Sequence, residues 1–389
     1  MSLNRRQFLI LGGFAFGVSA SGLFARRTLR PDTSPQSSAG PSPVSATAAN
    51  PPVPGAKVAP QGLYAPERGD VRLVVISDLN SRYGSTTYRS DVEKAMQLIP
   101  DWQPDMVICA GDMVAGQSIS LTPAEIKAMW AGFDRTVFTP IRQAGLPFAF
   151  TLGNHDASSY KSQGKFVFAL DREAADAYWS APQRDLGIEF SDRAGFPFYY
   201  SFVQNQIFYL IWDASSANVP DEQIAWAERA LASEAAQQAK LRIAMGHLPL
   251  YAISQGRDRA GEILNRADEL RSLLERYGVH TYITGHHHAY YPGRVGQLQL
   301  LHCGALGSGP RTWLGTTSAA MQTLTVLDIN LEAPSTTYTT YNAATWDVVD
   351  DSQLPRLIVG PNGRVMRHDL TLANLTPEEQ NRPYVPSLH

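Results

Sequence analysis

A chain of 389 residues, 44% of them apolar and 18% charged, has the composition of a globular enzyme and excludes a coiled coil, a collagen and a wholly disordered chain. Its 33 Lys and Arg against 36 Asp and Glu leave a net charge of −3, and no long basic run lies outside the N-terminal leader, which argues against nucleic acid as a partner. The 2 cysteines, Cys109 and Cys303, allow at most one bridge; each sits in an apolar run and reads as a small buried hydrophobe.

The chain opens with Asn4-Arg5-Arg6-Gln7-Phe8-Leu9-Ile10 and an uncharged apolar run from Leu9 to Ala20. That run is shorter than the ~20 residues a membrane-spanning helix needs. Val18-Ser19-Ala20 has the small residues of a cleavage site. Residues 1–30 therefore read as an export signal or anchor of twin-arginine type. The expected partner is the twin-arginine export machinery, and the expected location is periplasmic or extracellular. Membrane attachment is expected only through an uncleaved leader. Residues 31–68 are rich in Pro, Ser and Ala and read as a tether, so the folded domain is expected to begin near Gly69 and to run to 341, with a C-terminal extension over 342–389.

Five short apolar runs follow in the domain: Val71 to Ser77, Met106 to Ala110, Phe148 to Leu152, Leu241 to Met245 and Val279 to Thr284. They read as buried strands. Helical segments lie between several of them, at Asp91 to Ile99, Pro123 to Gln143 behind a Thr122/Glu125 capping box, Gln223 to Lys240, and Ala267 to Tyr277 stopped by Gly278. This alternation implies βαβ units and a largely parallel sheet. Phe198 to Ala214 and Gln297 to Thr340 carry closely spaced strands and suggest a second, mixed or antiparallel sheet. The expected class is α/β, a two-sheet sandwich flanked by helices. Ala157 to Pro197 reads as an insertion over the strand ends, with a helix near Asp171 to Trp179.

Each of the five runs ends in a metal-competent cluster: Asp78-Leu79-Asn80, Gly111-Asp112, Gly153-Asn154-His155-Asp156, Gly246-His247 and Gly285-His286-His287-His288. Ligands of open α/β sheets bind outside the carboxyl ends of strands, so these groups are expected along one sheet edge. Carboxylate, carboxamide and imidazole together suit Mn, Fe or Zn. Alternation puts His286 and His288 on one side and leaves His287 on the other. No P-loop and no Gly-x-Ser-x-Gly elbow is present.

On these motifs, in this order over 71–330, the chain resembles the calcineurin-like metallophosphoesterases. Their pattern runs Asp-x-His, Gly-Asp, Gly-Asn-His-Asp or -Glu, Gly-His and Gly-His-x-His. The resemblance implies two divalent metal ions: Asp112 bridging, Asp78 and His288 on one ion, Asn154, His247 and His286 on the other. It implies that His155 contacts the phosphoryl oxygens or protonates the leaving group, with Asp156 orienting its ring. The activity implied is hydrolysis of a small-molecule phosphate ester by a metal-bridging hydroxide, as a phosphomonoesterase; a phosphodiesterase is the alternative. Asn80 departs from the pattern, standing where the family most often has a ligating histidine. A neutral carbonyl oxygen is the weaker ligand, so Asn80 either coordinates a metal weakly, or contacts phosphate, or leaves the Asp78 ion loosely held, and a two-ion site with one labile position is expected. It also leaves open a non-catalytic, metal-binding envelope module with a decayed site. Tyr83 is close enough in sequence to offer an oxygen or a substrate contact. His302 is a candidate ligand orienter, and Arg311 a candidate phosphate contact, with surface salt bridging its expected role.

Overall fold

The strand Val71–Ile76 is buried along its whole length, Arg72 included. In this computed structural model, which describes residues 53–387, it forms the middle of a five-stranded sheet. Met106–Cys109 and then Phe148–Phe150 lie parallel on one side, Thr323–Asn330 and Ser335–Asn342 antiparallel on the other. Side chains alternate along it. Leu73, Val75, Met106 and Ile108 point into a core shared with a second sheet, while Val74, Ile76, Val107 and Cys109 pack under helices.

The second sheet has nine strands. Four are parallel neighbours: Ile207–Ile211, Leu241–Met245, Thr281–Thr284 and Leu298–His302. Antiparallel strands complete both sides, Tyr199–Gln204 and Phe190–Gly195 on one, Tyr291–Val295 with the hairpin Leu357–Gly360 and Gly363–Arg367 on the other. Helices Ser90–Leu98, Pro123–Phe133 and Ala267–Arg276 fall where the sequence places them, while the helix expected over 223–240 is two, Asp221–Ala232 and Glu234–Gln238, broken at an extended Ser233. The Thr122/Glu125 capping box is formed, and a π-helical turn, Asp134–Phe138, interrupts the second helix before it resumes over Thr139–Gln143. The sandwich flanked by helices is the expected α/β class. Its strands are distributed differently from the sequence expectation. The first three apolar runs share one sheet and the last two lie in the other, so the five clusters meet across two sheets rather than along one edge. Local pattern specifies a buried strand but not its partner, which long-range packing chooses.

The tether ends earlier than Gly69. Lys57 pairs with Glu67 in an antiparallel bridge, and Ala59 and Leu63 pack against the helix-side core. The cause is Arg72, whose guanidinium binds Asp328 at 2.8 and 3.0 Å and also donates to the carbonyls of Val58, 3.0 Å, and Pro66, 3.0 Å. A buried charge needs all these partners, and residues just before the first strand supply two of them. The hairpin of 357–367 belongs to the larger sheet, so the region after 342 is partly integral to the domain. Both cysteines are free and buried, and burial pushes both thiols up. Among the described residues no helix is long and apolar enough to cross a membrane; the leader, Val18 to Ala20 and His389 lie outside them.

Candidate metal centre

Asp78, Asp112, His286 and His288 all take left-handed backbone, with φ of 51°, 53°, 63° and 53°. For a residue with a Cβ this costs roughly 1–2 kcal/mol, and such strain collects at functional sites. Here it turns the chain sharply just past each strand and sends the side chain back toward a common point. Glycines allow the turns to approach one another. A Cβ on Gly153 would stand 2.1 Å from Asp112 Oδ1, and one on Gly111 would stand 2.5 Å from His247 Nδ1.

The convergence is close. Asp78 Oδ1 lies 3.1 Å from His288 Nε2 and 3.9 Å from His247 Nε2, and Asp112 Oδ2 lies 3.3 Å from His247 Nε2. Asn154 Oδ1 lies 3.0 Å from His247 Nε2 and 2.8 Å from His286 Nδ1. Donor atoms of Asp78, Asp112 and His247 all fall within 4.8 Å of one another. Asn80 is buried beside them, its backbone N–H donating to the Asp112 carbonyl at 3.2 Å.

The other nitrogen of each imidazole assigns the ring protons. His247 Nδ1 donates to the Ala110 carbonyl at 2.8 Å, His288 Nδ1 to the Gly309 carbonyl at 2.8 Å, and His286 Nε2 to the Glu262 carboxylate at 2.9 Å. Each ring therefore turns a lone pair toward oxygens of Asp78, Asp112 and Asn154, which also only accept. Acceptors at these distances repel unless a cation stands between them. This is the arrangement of histidine ligands oriented by a fixed acceptor behind the ring, and the donor set fits Mn, Fe or Zn.

Charges agree with that reading. Burial would raise Asp112, but the His247 and His155 imidazoles reverse it and hold the carboxyl well below its ordinary range. Asp78 is lowered too, by His288 and His247 against burial. Burial would lower His247, yet the Asp112 and Asp78 carboxylates push it up to about 9: a proton can take the place the cluster offers to a cation. Burial brings His286 down to about 3, which keeps its lone pair free.

His155 sits at the rim. Its N–H donates to Asp112 Oδ1 at 2.8 Å and its Nδ1 to the Gly116 carbonyl at 3.0 Å, while Nε2 faces Asp112 Oδ2 at 3.9 Å. The Gly116 carbonyl, and not Asp156, orients the ring. Asp156 turns the other way and accepts from the N–H groups of Val114, 2.9 Å, and Gly153, 2.8 Å, pinning two of the turns together. Burial, then the Asp112 charge, raises it to about 7. The reason is local: Asn154–Ala157 is a helical turn, in which adjacent side chains diverge by about 100°.

Tyr83 packs its ring 5.3 Å from that of His155. His287 points away from the cluster, with Nε2 donating to the Glu262 carbonyl at 3.0 Å. His302 donates to the Tyr291 carbonyl at 3.2 Å and orients no ligand. Arg311 has no carboxylate partner among the described residues; its one hydrogen-bonded side-chain contact is the Gln255 carbonyl at 3.2 Å. Two contributors carried no sequence signal. Glu262 holds His286 from behind, and Gln117 Oε1 accepts from Asn154 Nδ2 at 2.7 Å, which fixes the amide with its oxygen inward. A cleft of about 1100 Å³ opens from Asn154 and His286 and is walled by the insertion through Ser158, Tyr160, Lys161 and Phe166.

A model of the family described as calcineurin-like phosphoesterase matches residues 71–290, more than half of the chain. Among solved structures, a purple acid phosphatase from yellow lupin (Lupinus luteus) seeds is similar at TM-score 0.51 and 18% identity, over 74% of this chain and 55% of that one. This chain thus spans about half the length of the lupin protein. GAP50, the anchor in the inner membrane complex of Plasmodium, gives TM-score 0.47 and 14% identity over 72% of this chain and 87% of its own. A dimetal phosphatase from Danio rerio gives 0.46 and 12% over 72% and 98%. No curated protein sequence matches the chain.

Proposed function

Because the chain belongs to the calcineurin-like phosphoesterase family, we propose that it is a metal-dependent hydrolase of small-molecule phosphate esters, and specifically a phosphomonoesterase. The proposed metal ligands are Asp78, Asn80, Asp112, Asn154, His247, His286 and His288, holding two divalent ions. The observation that carries this reading is the inward lone pair of three histidines, each backed by a fixed acceptor and each facing only oxygen. Divalent ions in such a cluster neutralise phosphoryl charge and make a bound water acidic near neutral pH.

The residues divide the work. Asp112 stands nearest the middle, within reach of His247, His155 and the turn of Gly153. His288 and Asp78 form one side; His247, His286 and Asn154 form the other. His155 keeps Nδ1 on the Gly116 carbonyl, so Nε2 is the atom that exchanges a proton with the leaving oxygen or holds a phosphoryl oxygen. Tyr83 shields that ring on its outer side. The size of the cleft supports a substrate whose alcohol part is organic rather than a bare phosphate. The Arg5-Arg6-Gln7-Phe8-Leu9 leader supports export through the twin-arginine machinery to the periplasm or beyond.

Asn80 favours one other reading, an envelope module that binds metal without turnover. Full-length protein, quantified for metal and assayed on p-nitrophenyl phosphate and bis-p-nitrophenyl phosphate with added Mn²⁺, Fe²⁺ or Zn²⁺, separates them. Monoester hydrolysis that tracks metal content and disappears in a folded Asp112→Asn variant is the expected result. A preference for the bis ester would make it a phosphodiesterase. Stoichiometric metal with neither ester cleaved would move the assignment to the module.

A further inference from the structure

Three guanidinium groups crowd the wall of the cleft around a single carboxylate. Glu262 pairs with Arg257 through one oxygen and with Arg259 through the other at 3.3 Å. The oxygen shared with Arg257 also accepts from His286 Nε2 at 2.9 Å. Arg311 is left over. It is half-buried, and its fixed contacts are its backbone N–H on the His288 carbonyl at 3.0 Å and one Nη1 bond to Gln255. The Nε atoms of both Arg257 and Arg311 are buried without a hydrogen-bond partner. Burial, and then the neighbouring charge of Arg257, pushes the Arg311 guanidinium below its ordinary value, although an arginine stays protonated.

A guanidinium that gives up water and gains no carboxylate is a cost to the folded state. Arg72 avoids it by pairing with Asp328. Arg311 does not, and its position suits a ligand. Arg257 Nη1 lies 3.4 Å from His286 Nε2, while the opposite nitrogen of the same ring faces Asn154 at 2.8 Å. The surplus positive charge therefore stands one imidazole ring beyond the metal centre, in the same cleft. The ring separates it from the place where a phosphoryl group would sit.

We propose that Arg311, with Arg257 beside it, binds a second oxyanion of the substrate, so that the natural substrate is a phosphate ester carrying a carboxylate or a further phosphate a short spacer away from the scissile group. This rests on the hydrolase reading above. The guanidinium group matches either oxyanion, and Nη2 of Arg311, which has no hydrogen-bond partner among the described residues, is the donor. Binding at this point contributes to substrate choice and to KM, and Arg311 touches no reacting atom.

The test compares phenyl phosphate with meta-carboxyphenyl phosphate and meta-phenylene bisphosphate, on wild type, Arg311→Met and Arg311→Lys, with thermal unfolding as the check on folding. The expected result is a wild-type preference in kcat/KM for one doubly anionic ester. The preference ratio should fall on the order of tenfold or more in Arg311→Met, and less in Arg311→Lys, as loss of charged hydrogen bonds predicts. Which ester is preferred identifies the oxyanion. No wild-type preference, or the same ratio in wild type and Arg311→Met, overturns the inference. Cleavage of none of the esters by wild type is a failure of the hydrolase reading. Titration calorimetry with phenylphosphonate, meta-carboxyphenylphosphonate and meta-phenylenebisphosphonate then decides: tighter binding of a doubly anionic ligand that Arg311→Met abolishes keeps the oxyanion site, and equal binding of all three removes it.

Discussion

His288 Nε2 lies 3.1 Å from Asp78 Oδ1, and the Nδ1 of the same ring is committed to Gly309. On that side of the centre His288 is the one imidazole; the Asn154 side has two, His247 and His286. Asn80 adds no more than a neutral amide oxygen, so the two sides should differ in metal affinity. Stepwise dialysis against a chelator, followed by metal quantification, should remove one equivalent well before the other. Asn80→His should close that gap by restoring an imidazole. Loss of the first equivalent at the same chelator concentration in wild type and variant would show that Asn80 does not set the lability.

Glu262 reaches the centre only through His286, whose Nε2 proton it accepts at 2.9 Å. Burial would raise this carboxyl, but the imidazole and Arg257 hold it below the usual range, so it is anionic under any ordinary condition. Removing such a partner typically costs about 10- to 100-fold in metal affinity. Glu262→Gln should show that loss in competition with a chromogenic chelator, with the secondary structure unchanged. An unaltered affinity would assign Glu262 to holding Arg257 alone.

The clusters at 78–80, 111–112, 153–156, 246–247 and 285–288 were legible because each follows an apolar run, and the order of the five is distinctive. Their partners in space were not. Glu262 lies in Arg257-Asp258-Arg259-Ala260-Gly261-Glu262, a charged loop with no periodicity to mark one carboxylate from the others. Gln117 and the Gly116 carbonyl act through the folded turn after Asp112. Asp156 shows the converse error: its place next to His155 in sequence suggests contact, but the two sit in one helical turn, where adjacent side chains diverge by about 100°. The split of the five strands between two sheets followed the same logic, since pairing between Val71–Ile76 and Thr323–Asn330 joins segments about 250 residues apart and leaves no local trace.

Acid should destabilise the fold through buried neutral histidines. His302 is an example outside the proposed ligand set; burial lowers it from 6.5 to about 4. Between those values the unfolded chain holds the proton and the folded one does not, so stability rises with pH across the window and is lost as pH falls from 6.5 toward 4. At about 1.4 kcal/mol per unit the full effect is about 3 kcal/mol. His302→Gln keeps a donor for the Tyr291 carbonyl and cannot titrate. Denaturant unfolding at pH 7 and pH 4.5 should therefore show a smaller acid loss in the variant than in wild type. Equal losses would mean that His302 finds a charged partner or a route to water when protonated.

His155 should matter in proportion to how poor the leaving group is. Its Nδ1 is held by Gly116, which leaves Nε2, 3.9 Å from Asp112 Oδ2, as the atom free to exchange a proton with the leaving group. An alkoxide needs a proton as it departs and p-nitrophenolate does not, and positioned general acids typically contribute about 10²- to 10⁴-fold. His155→Gln should thus fall by about that factor on an alkyl phosphate and by much less on p-nitrophenyl phosphate. A plot of log kcat against leaving-group pKa should become steeper in the variant. Parallel lines for wild type and variant would assign His155 to phosphoryl binding and leave protonation of the leaving group to solvent.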